Sequence, residues 1–267
     1  MLHDIAPHTL ANAWNPRPAL PEDLTLYFDN GNVYLKDGHF PCRADYPYDA
    51  VTRYLFDYDG CAVHLSMTDA PKNARPTALR NIRNMDQPEA FLGGTAQHLW
   101  DWYRKTRFCG CCGTEMTHST AERAMLCPHC GNTVYPCISP AVIVLIHNGA
   151  DKLFLARGRR FVGNFYSCIA GYLEIGETLE QAVLREAMEE TGLHLKNLRY
   201  FGNQPWPFSD TQMVGFFAEA DENEPVSLQE EELADAKWFH KDELPTRPQS
   251  IAIASAMIHH WLEHGAL

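Results

Sequence analysis

Gly171-Tyr172-Leu173-Glu174-Ile175-Gly176-Glu177-Thr178-Leu179-Glu180-Gln181-Ala182-Val183-Leu184-Arg185-Glu186-Ala187-Met188-Glu189-Glu190-Thr191-Gly192-Leu193 reads as a glycine-rich approach to a short helix. Thr178 with Gln181 three residues later forms a capping-box start, and Gly192 is a typical stop, so the pattern predicts a helix over 179–191. At 100° per residue, Glu186, Glu189 and Glu190 fall within about 100° of arc on adjacent turns. That is a poor arrangement for an ordinary surface helix. Like charges at i and i+4 repel, all three lie near the negative end of the helix dipole, and Arg185 offsets only part of the charge. Leu179 and Val183 share the arc, so the carboxylates border a buried stripe. A hard divalent cation, Mg2+ or Mn2+, would relieve the conflict and could bridge to phosphate oxygens. The competing reading is a solvated acidic face, which the helix position and the glycine-rich approach disfavour.

Upstream, Cys109-Gly110-Cys111-Cys112-Gly113 and Cys127-Pro128-His129-Cys130-Gly131 give two C-x2-C pairs separated by fourteen residues. Each pair can turn two thiolates toward one point, and the glycine after each permits a left-handed backbone. Four thiolates, Cys109, Cys112, Cys127 and Cys130, suit tetrahedral Zn2+ with no open position, hence a structural role. Cys111 could compete with Cys112, but glycine directly after Cys112 favours the latter.

Between the knuckle and the helix, Ala141-Val142-Ile143-Val144-Leu145-Ile146 reads as a buried strand. Toward the N-terminus, Leu24 to Leu35 and the hairpin signals Asn30-Gly31, Asp37-Gly38 and Asp59-Gly60 indicate β-structure to about residue 75. Pro76 to about Lys105 reads as helical in two pieces separated by Asp86-Gln87-Pro88. The chain therefore divides into a β-rich N-terminal domain ending in helices (1–105), a zinc-ribbon module (106–136) and a C-terminal α/β domain (137–267).

Composition narrows the function classes. The 267 residues carry 22 Lys plus Arg and 34 Asp plus Glu, a net charge of −12, which argues against passive binding of a polyanion through a basic surface. Arg157-Gly158-Arg159-Arg160 is one local basic candidate, with a solvated turn as the plainer alternative. No apolar run approaches 18 residues, so a membrane span is not expected. No secretory signal is visible at the N-terminus. Nine cysteines, an odd number with five between 109 and 130, indicate a reducing compartment, and a cytoplasmic location is expected.

Taken together, Gly171, five residues, Glu177, seven residues, Arg185-Glu186, two residues, Glu189-Glu190, one residue and Gly192 match the Nudix box at each defining position. Resemblance to Nudix hydrolases implies an α/β/α sandwich and hydrolysis of a nucleoside diphosphate linked to another moiety. It implies that Glu186 and Glu190 are the principal ligands of the catalytic metals, and that Glu189 is a ligand or orients the attacking water. It assigns Glu177 as a supporting acid, Arg185 as the partner holding the carboxylates, and the Ala170 carbonyl as a further metal contact.

Downstream, Gln204-Pro205-Trp206-Pro207-Phe208 alternates stiff prolines with aromatics. Trp206 and Phe208 could stack on a base or nicotinamide ring, or could be core aromatics pinning a loop. The whole arrangement resembles the NADH pyrophosphatase (NAD diphosphatase) family. Its signature after the box is kept at Gln204 to Phe208, while Asn203, Ser209 and Thr211 depart from it. The resemblance implies substrate contacts across Gln204, Pro205, Trp206, Pro207, Phe208, Ser209, Asp210 and Thr211, and at Tyr135, Tyr172 and Ala252, the last through backbone. It implies a distal metal-binding Glu232, structural Zn2+, catalytic Mg2+ or Mn2+, and a homodimer. The implied reaction splits NAD(H) into nicotinamide mononucleotide and AMP, and extends to NAD-capped RNA. A Nudix enzyme for ADP-ribose or a diadenosine polyphosphate, and a non-catalytic Nudix-type ligand sensor, remain alternatives.

Overall fold

The computed structural model describes residues 1–159, 165–245 and 251–266. The chain falls into two compact units. One comprises His3–Cys137 with Pro207–Asp210, the other Met1–Leu2, Ile138–Trp206 and Thr211–Leu267.

In the first unit, Leu10–Ala11, Thr52–Tyr58, Cys61–Ser66 and Leu24–Leu26 form a four-stranded sheet, and Phe28–Asp29, Asn32–Leu35 and Arg75–Ala78 a three-stranded one. The expected hairpins form at Asn30-Gly31 and Asp59-Gly60, where both residues of each pair have positive φ, as a two-residue turn that matches strand twist requires. The two helical pieces expected from Pro76 need correction. Residues Arg75–Ala78 pair along the edge of the small sheet, where Pro76 can sit without breaking a ladder. Leu79–Asn84 is a 3-10 turn, and only Gln87–Lys105 (α1) is an α-helix. Helix α1 buries Ala90, Leu92, Ala96, Leu99, Trp102 and Tyr103.

The cysteine module adds a small sheet of Thr117–His118, Met125–Leu126 and Thr133–Val134. Its Cys109, Met116, Met125 and Cys127 belong to the same apolar core as Phe28, Leu65, Leu99 and Trp102.

The second unit is built on a six-stranded sheet. Lys196–Trp206, Thr211–Glu219, Ser139–His147, Lys152–Gly158 and Leu233–His240 lie in that order, and Ile169–Tyr172 also pairs with Ser139–His147. The central strand Ser139–His147 runs parallel to Thr211–Glu219 over its full length. Its side chains alternate between two cores. Val142, Val144 and Ile146 meet Ala182, Val183 and Ala187 of Leu179–Thr191 (α2) on one face. Ile143 and Leu145 meet Ile253, Met257, Ile258 and Trp261 of Ile253–His264 (α3) on the other. A strand covered on both faces needs an unbroken apolar run, which is what the sequence has. Helix, sheet, helix is the expected α/β/α sandwich. No helix among the described residues is long and apolar enough to cross a membrane.

Candidate active site

Helix α2 starts and stops where its caps dictate. Thr178 Oγ1 accepts from the Gln181 backbone N–H, the Gln181 side chain accepts from the Thr178 N–H, and Gly192 closes the helix at φ 74°. Residues Ala182, Val183 and Ala187 face the core, leaving the carboxylates along the border of the buried stripe.

Arg185 organises this border. Its Nε donates to Glu177 Oε1 at 2.8 Å and its Nη2 to Glu177 Oε2 at 2.9 Å, a bidentate pair. Its Nη1 donates to Glu186 Oε1 at 2.8 Å and Glu189 Oε2 at 3.0 Å, and Nη2 reaches the Tyr172 carbonyl at 2.9 Å. Arg185 and the Glu174 N–H hold the Glu177 carboxyl below the usual carboxylate range. The Glu186 side chain is 13% exposed and lies directly against Gly171. A Cβ at position 171 would stand 1.9 Å from Glu186 Cδ and 2.0 Å from Oε1, so the box glycine is the space that carboxylate occupies. Its chain neighbour Ala170 lies in the same strand, Ile169–Tyr172.

Glu190 is 5% exposed. Burial first, then the negative charge of Glu186, Glu232 and Glu189, pushes its carboxyl up to about 8. Burial pushes Glu186 up as well, despite Arg185. Glu232 therefore acts on both, although 42 residues separate it from Glu190 in the chain. The reason is a backbone junction. Gln229 N donates to Glu190 O at 3.0 Å and Ser227 N to Thr191 O at 2.8 Å, so the segment carrying Glu232 satisfies open carbonyls at the end of α2. Glu189 is more open, its side chain 54% exposed. A buried carboxyl opposed by three other acids, in an oxygen-only donor set, fits a divalent cation such as Mg2+ or Mn2+.

Cys109, Cys112, Cys127 and Cys130 converge with all four sulfurs within 4.8 Å of one another. Three of the separations are 3.5–3.6 Å, close to the edge of a Zn–S4 tetrahedron. Among the described residues no other group of His, Cys, Asp or Glu closes so tightly. Cys112 is the fourth member and Cys111 stays outside; the Cys111 N–H instead donates to Cys109 Sγ. Hydrogen bonding from Thr114 holds the Cys112 thiol down to about 5, and Gly113 and Gly131 take positive φ. These four thiolates are a structural zinc site.

The downstream signature separates into parts with different roles. Gln204 is fully buried, its Nε2 donating to Ile251 O at 2.8 Å and its Oε1 accepting from Ile253 N at 2.6 Å. Both ends of its amide thus hold the entry to α3, on either side of Ala252, the N-cap of that helix. Pro205 and Trp206 continue the strand opposite Gln212 and Thr211. Pro207 and Phe208 pack over Gly94 of α1, where an added Cβ would stand 2.8 Å and 2.9 Å from them, and Phe208 joins the first unit's apolar core. Phe208 thus packs against the first unit's core with its ring half-buried. Ser209 is exposed, and Asp210, at φ 56°, accepts from Lys105 Nζ at 2.8 Å. Thr211 is buried with its Oγ1 3.2 Å from the hydroxyl of Tyr172, whose ring is 53% exposed.

Two partners were not legible beforehand. Tyr135 donates to Glu122 Oε1 at 3.0 Å, and nothing in their spacing marks the pair. The basic run also behaves differently from a free cationic surface: Arg157 lies in the ladder opposite Asp235, and Arg159 bonds main-chain carbonyls. Arg160 lies outside the described residues.

Comparison with known proteins agrees with this geometry. The NUDIX domain model matches residues 138–262 and the NADH pyrophosphatase zinc ribbon domain model residues 104–135. The NAD-capped RNA hydrolase NudC of Pseudomonas aeruginosa is 47% identical over 241 residues, 87% of this chain and 84% of that protein. The one from Pectobacterium carotovorum is 43% identical over 236 residues, 86% of this chain and 88% of its own. A Nudix hydrolase structure from Nitrosomonas europaea superposes with a TM-score of 0.51 at 20% identity, over 60% of this chain and 94% of that one, a likeness of fold. A cysteine cage followed by a carboxylate helix capped by its own acidic turn, with relatedness along nearly the whole length, places the chain in the Nudix hydrolase superfamily, as a member of its NADH pyrophosphatase family.

Proposed function

We propose that this enzyme hydrolyses the pyrophosphate bond of NAD(H) to nicotinamide mononucleotide and AMP, and removes NAD from the 5′ ends of capped RNA. The observation that carries the reading is identity of 43–47% over 86–87% of the chain to proteins named for NAD-capped RNA hydrolysis, with each box acid kept.

Bound Mg2+ or Mn2+ would neutralise the pyrophosphate and make a water more acidic. The protein's own residues do the rest. Glu186, Glu190 and Glu232, with the Ala170 carbonyl, would hold the cations. Glu189, exposed and tethered by Arg185, orients the attacking water and takes up its proton. Glu177 keeps Arg185 in place through two parallel hydrogen bonds, so the carboxylates are arranged before substrate arrives. Water adds to one phosphorus, the bridging P–O bond breaks, and the other phosphate leaves as a monophosphate, with no covalent enzyme intermediate. Tyr135, Tyr172, Pro205, Trp206, Ser209, Asp210, Thr211 and the Ala252 backbone contact the dinucleotide, while Gln204, Pro207 and Phe208 support the segment from behind. The division into 1–105, 106–136 and 137–267, a homodimer and a cytoplasmic location complete the proposal.

Product analysis on NADH, NAD+, ADP-ribose, a diadenosine polyphosphate and NAD-capped RNA tests it. Nicotinamide mononucleotide with AMP, and a 5′-monophosphate RNA, are expected. Turnover confined to the other nucleotides would move the assignment within the superfamily, and turnover of none would make the protein a sensor. Light scattering decides the dimer.

A further inference from the structure

We infer that Arg159 is a positioning residue that holds the Glu230–Glu232 turn, and with it the carboxylate of Glu232, against the acidic end of α2. The inference rests on the reading of Glu232 as a metal ligand.

The turn is anchored firmly at its ends. Leu228 and Leu233 pack into the core shared with α2, and Gln229 N is bonded to the carbonyl of Glu190 itself. Its middle is different. Glu230, Glu231 and Glu232 are consecutive, and Glu232 faces the charges of Glu186 and Glu190. Left alone, such a crown of carboxylates moves away from the cluster it is meant to complete.

Arg159 opposes that movement at two points. Its backbone N–H donates to Glu232 O at 2.8 Å, and its side-chain Nε donates to the carbonyl of Glu230. The two accepting carbonyls bracket Glu231, so one residue ties both sides of the crown. The local fold supports this attachment. Strand Lys152–Gly158 pairs regularly with Leu233–His240 until a register shift between Arg157 and Gly158, opposite Leu233. A bulge of this kind bends a strand and re-aims the residues beyond it. The extra residue is Ala234 of the facing strand, so the bulge re-aims Leu233 and the acidic turn before it, and the Arg159 N–H continues the pairing there at Glu232. Its guanidinium also brings a positive charge to a segment of three acids, beyond the reach of Arg185, which is committed to Glu177, Glu186 and Glu189. A residue that orients a ligand from behind typically changes metal affinity by about 10- to 100-fold when removed.

The test uses the full chain with its zinc, as wild type and as Arg159→Met, Arg159→Lys and Glu232→Gln. Free Mn2+ is read by electron paramagnetic resonance during titration. The titration needs no substrate, so it holds whichever nucleotide the enzyme cleaves. Arg159→Met should weaken Mn2+ binding about tenfold and raise the Mn2+ needed for half-maximal rate by the same factor, with a smaller effect on kcat at saturating Mn2+. Arg159→Lys, which keeps the charge and a donor, should recover part of the affinity. Glu232→Gln should weaken binding at least as much. Wild-type Mn2+ affinity in Arg159→Met beside weakened binding in Glu232→Gln overturns the inference and leaves the Glu232 assignment standing. Unchanged binding in Glu232→Gln overturns the assignment itself. A lower melting temperature in Arg159→Met, with normal Mn2+ affinity below the melt, makes Arg159 merely structural and also overturns the inference.

Discussion

Glu190→Gln should make the metal-free protein more stable at high pH while abolishing its activity. The substitution keeps the shape of a side chain that is 5% exposed and removes its charge. In the folded chain without catalytic metal, burial and then Glu186, Glu232 and Glu189 push the Glu190 carboxyl from 4.5 to about 8. The unfolded chain releases this proton near the ordinary value, whereas the folded chain keeps it until about pH 8. Wild-type stability from this group is therefore fully present below the unfolded value. It declines as pH rises from 4.5 through about 8 and is level above. At about 1.4 kcal/mol per pH unit across that interval, the decline amounts to at most about 5 kcal/mol. Glutamine has no proton to lose, so the variant should match wild type near pH 4.5 and exceed it increasingly up to about pH 8, with the gap level above. For a chain of this size about 2 °C accompanies each kcal/mol, which gives a gain approaching 10 °C. Thermal melts after removal of loosely held divalent metal, at pH 5, 7 and 9, measure the gap. Adding Mg2+ at pH 9 should raise the wild-type melting temperature more than the variant's, because the variant keeps Glu186, Glu189 and Glu232 but has lost the buried charge at the centre of the cluster. Parallel pH dependence in the two proteins, or retention of more than a few per cent of kcat, would refute the placement of Glu190 at the centre of the metal cluster.

Gly171→Ala should lower kcat by about 100-fold or more, since a Cβ 1.9 Å from Glu186 Cδ must displace that carboxylate; normal kcat would show that Glu186 need not lie there. Cys127→Ser should lose zinc and lower the melting temperature together, because one missing thiolate opens the cage; normal zinc content by elemental analysis with unchanged stability would count against the site. Mild chelation and desalting should leave about one zinc per chain in an inactive, folded protein that recovers on adding Mg2+ or Mn2+, and recovery only with zinc would reverse the division between the two sites. Phe208→Ala should destabilise by about 2 kcal/mol or more with little change in KM, whereas Trp206→Ala should penalise dinucleotides more than a minimal pyrophosphate, by about 0.5–1.5 kcal/mol in ΔΔG‡ beyond lost area; equal kinetic losses in both variants would contradict the separation.

How much of this chain could be foreseen depends on the range of the forces involved. Helix α2 was legible to the residue because its determinants are its own caps, Thr178 with Gln181 and Gly192. The zinc cage was legible because each knuckle is a local turn of thiol-bearing and glycine residues. Even the rejection of Cys111 followed from where Gly113 falls. The continuous apolar run at Ala141–Ile146 indicated burial on both faces, since a strand with one wet face would alternate. The segment 75–84 misled because Pro76 and the apolar spacing after it satisfy a helix start as well as an edge strand followed by a 3-10 turn. Pairing with Asn32–Leu35, about forty residues away, decides between them.

The same limit explains the site. Gln204 and Phe208 belong to one short signature, yet one is consumed by the backbone beside Ala252 and the other by the apolar core over Gly94. Neither destination is encoded in the signature, so a shared motif does not imply a shared role. Glu232 shows the point most clearly. Its approach to Glu190 is made by Gln229 N to Glu190 O and Arg159 N to Glu232 O, bonds between main-chain groups that almost any residue could supply. Side-chain chemistry marks where charges lie along the chain, but here backbone pairing determines which of them meet. The acidic turn could therefore be reached beforehand only through family resemblance, while the repulsion it adds to Glu190 is what a proton relieves in the metal-free fold and what a bound cation would relieve in its place.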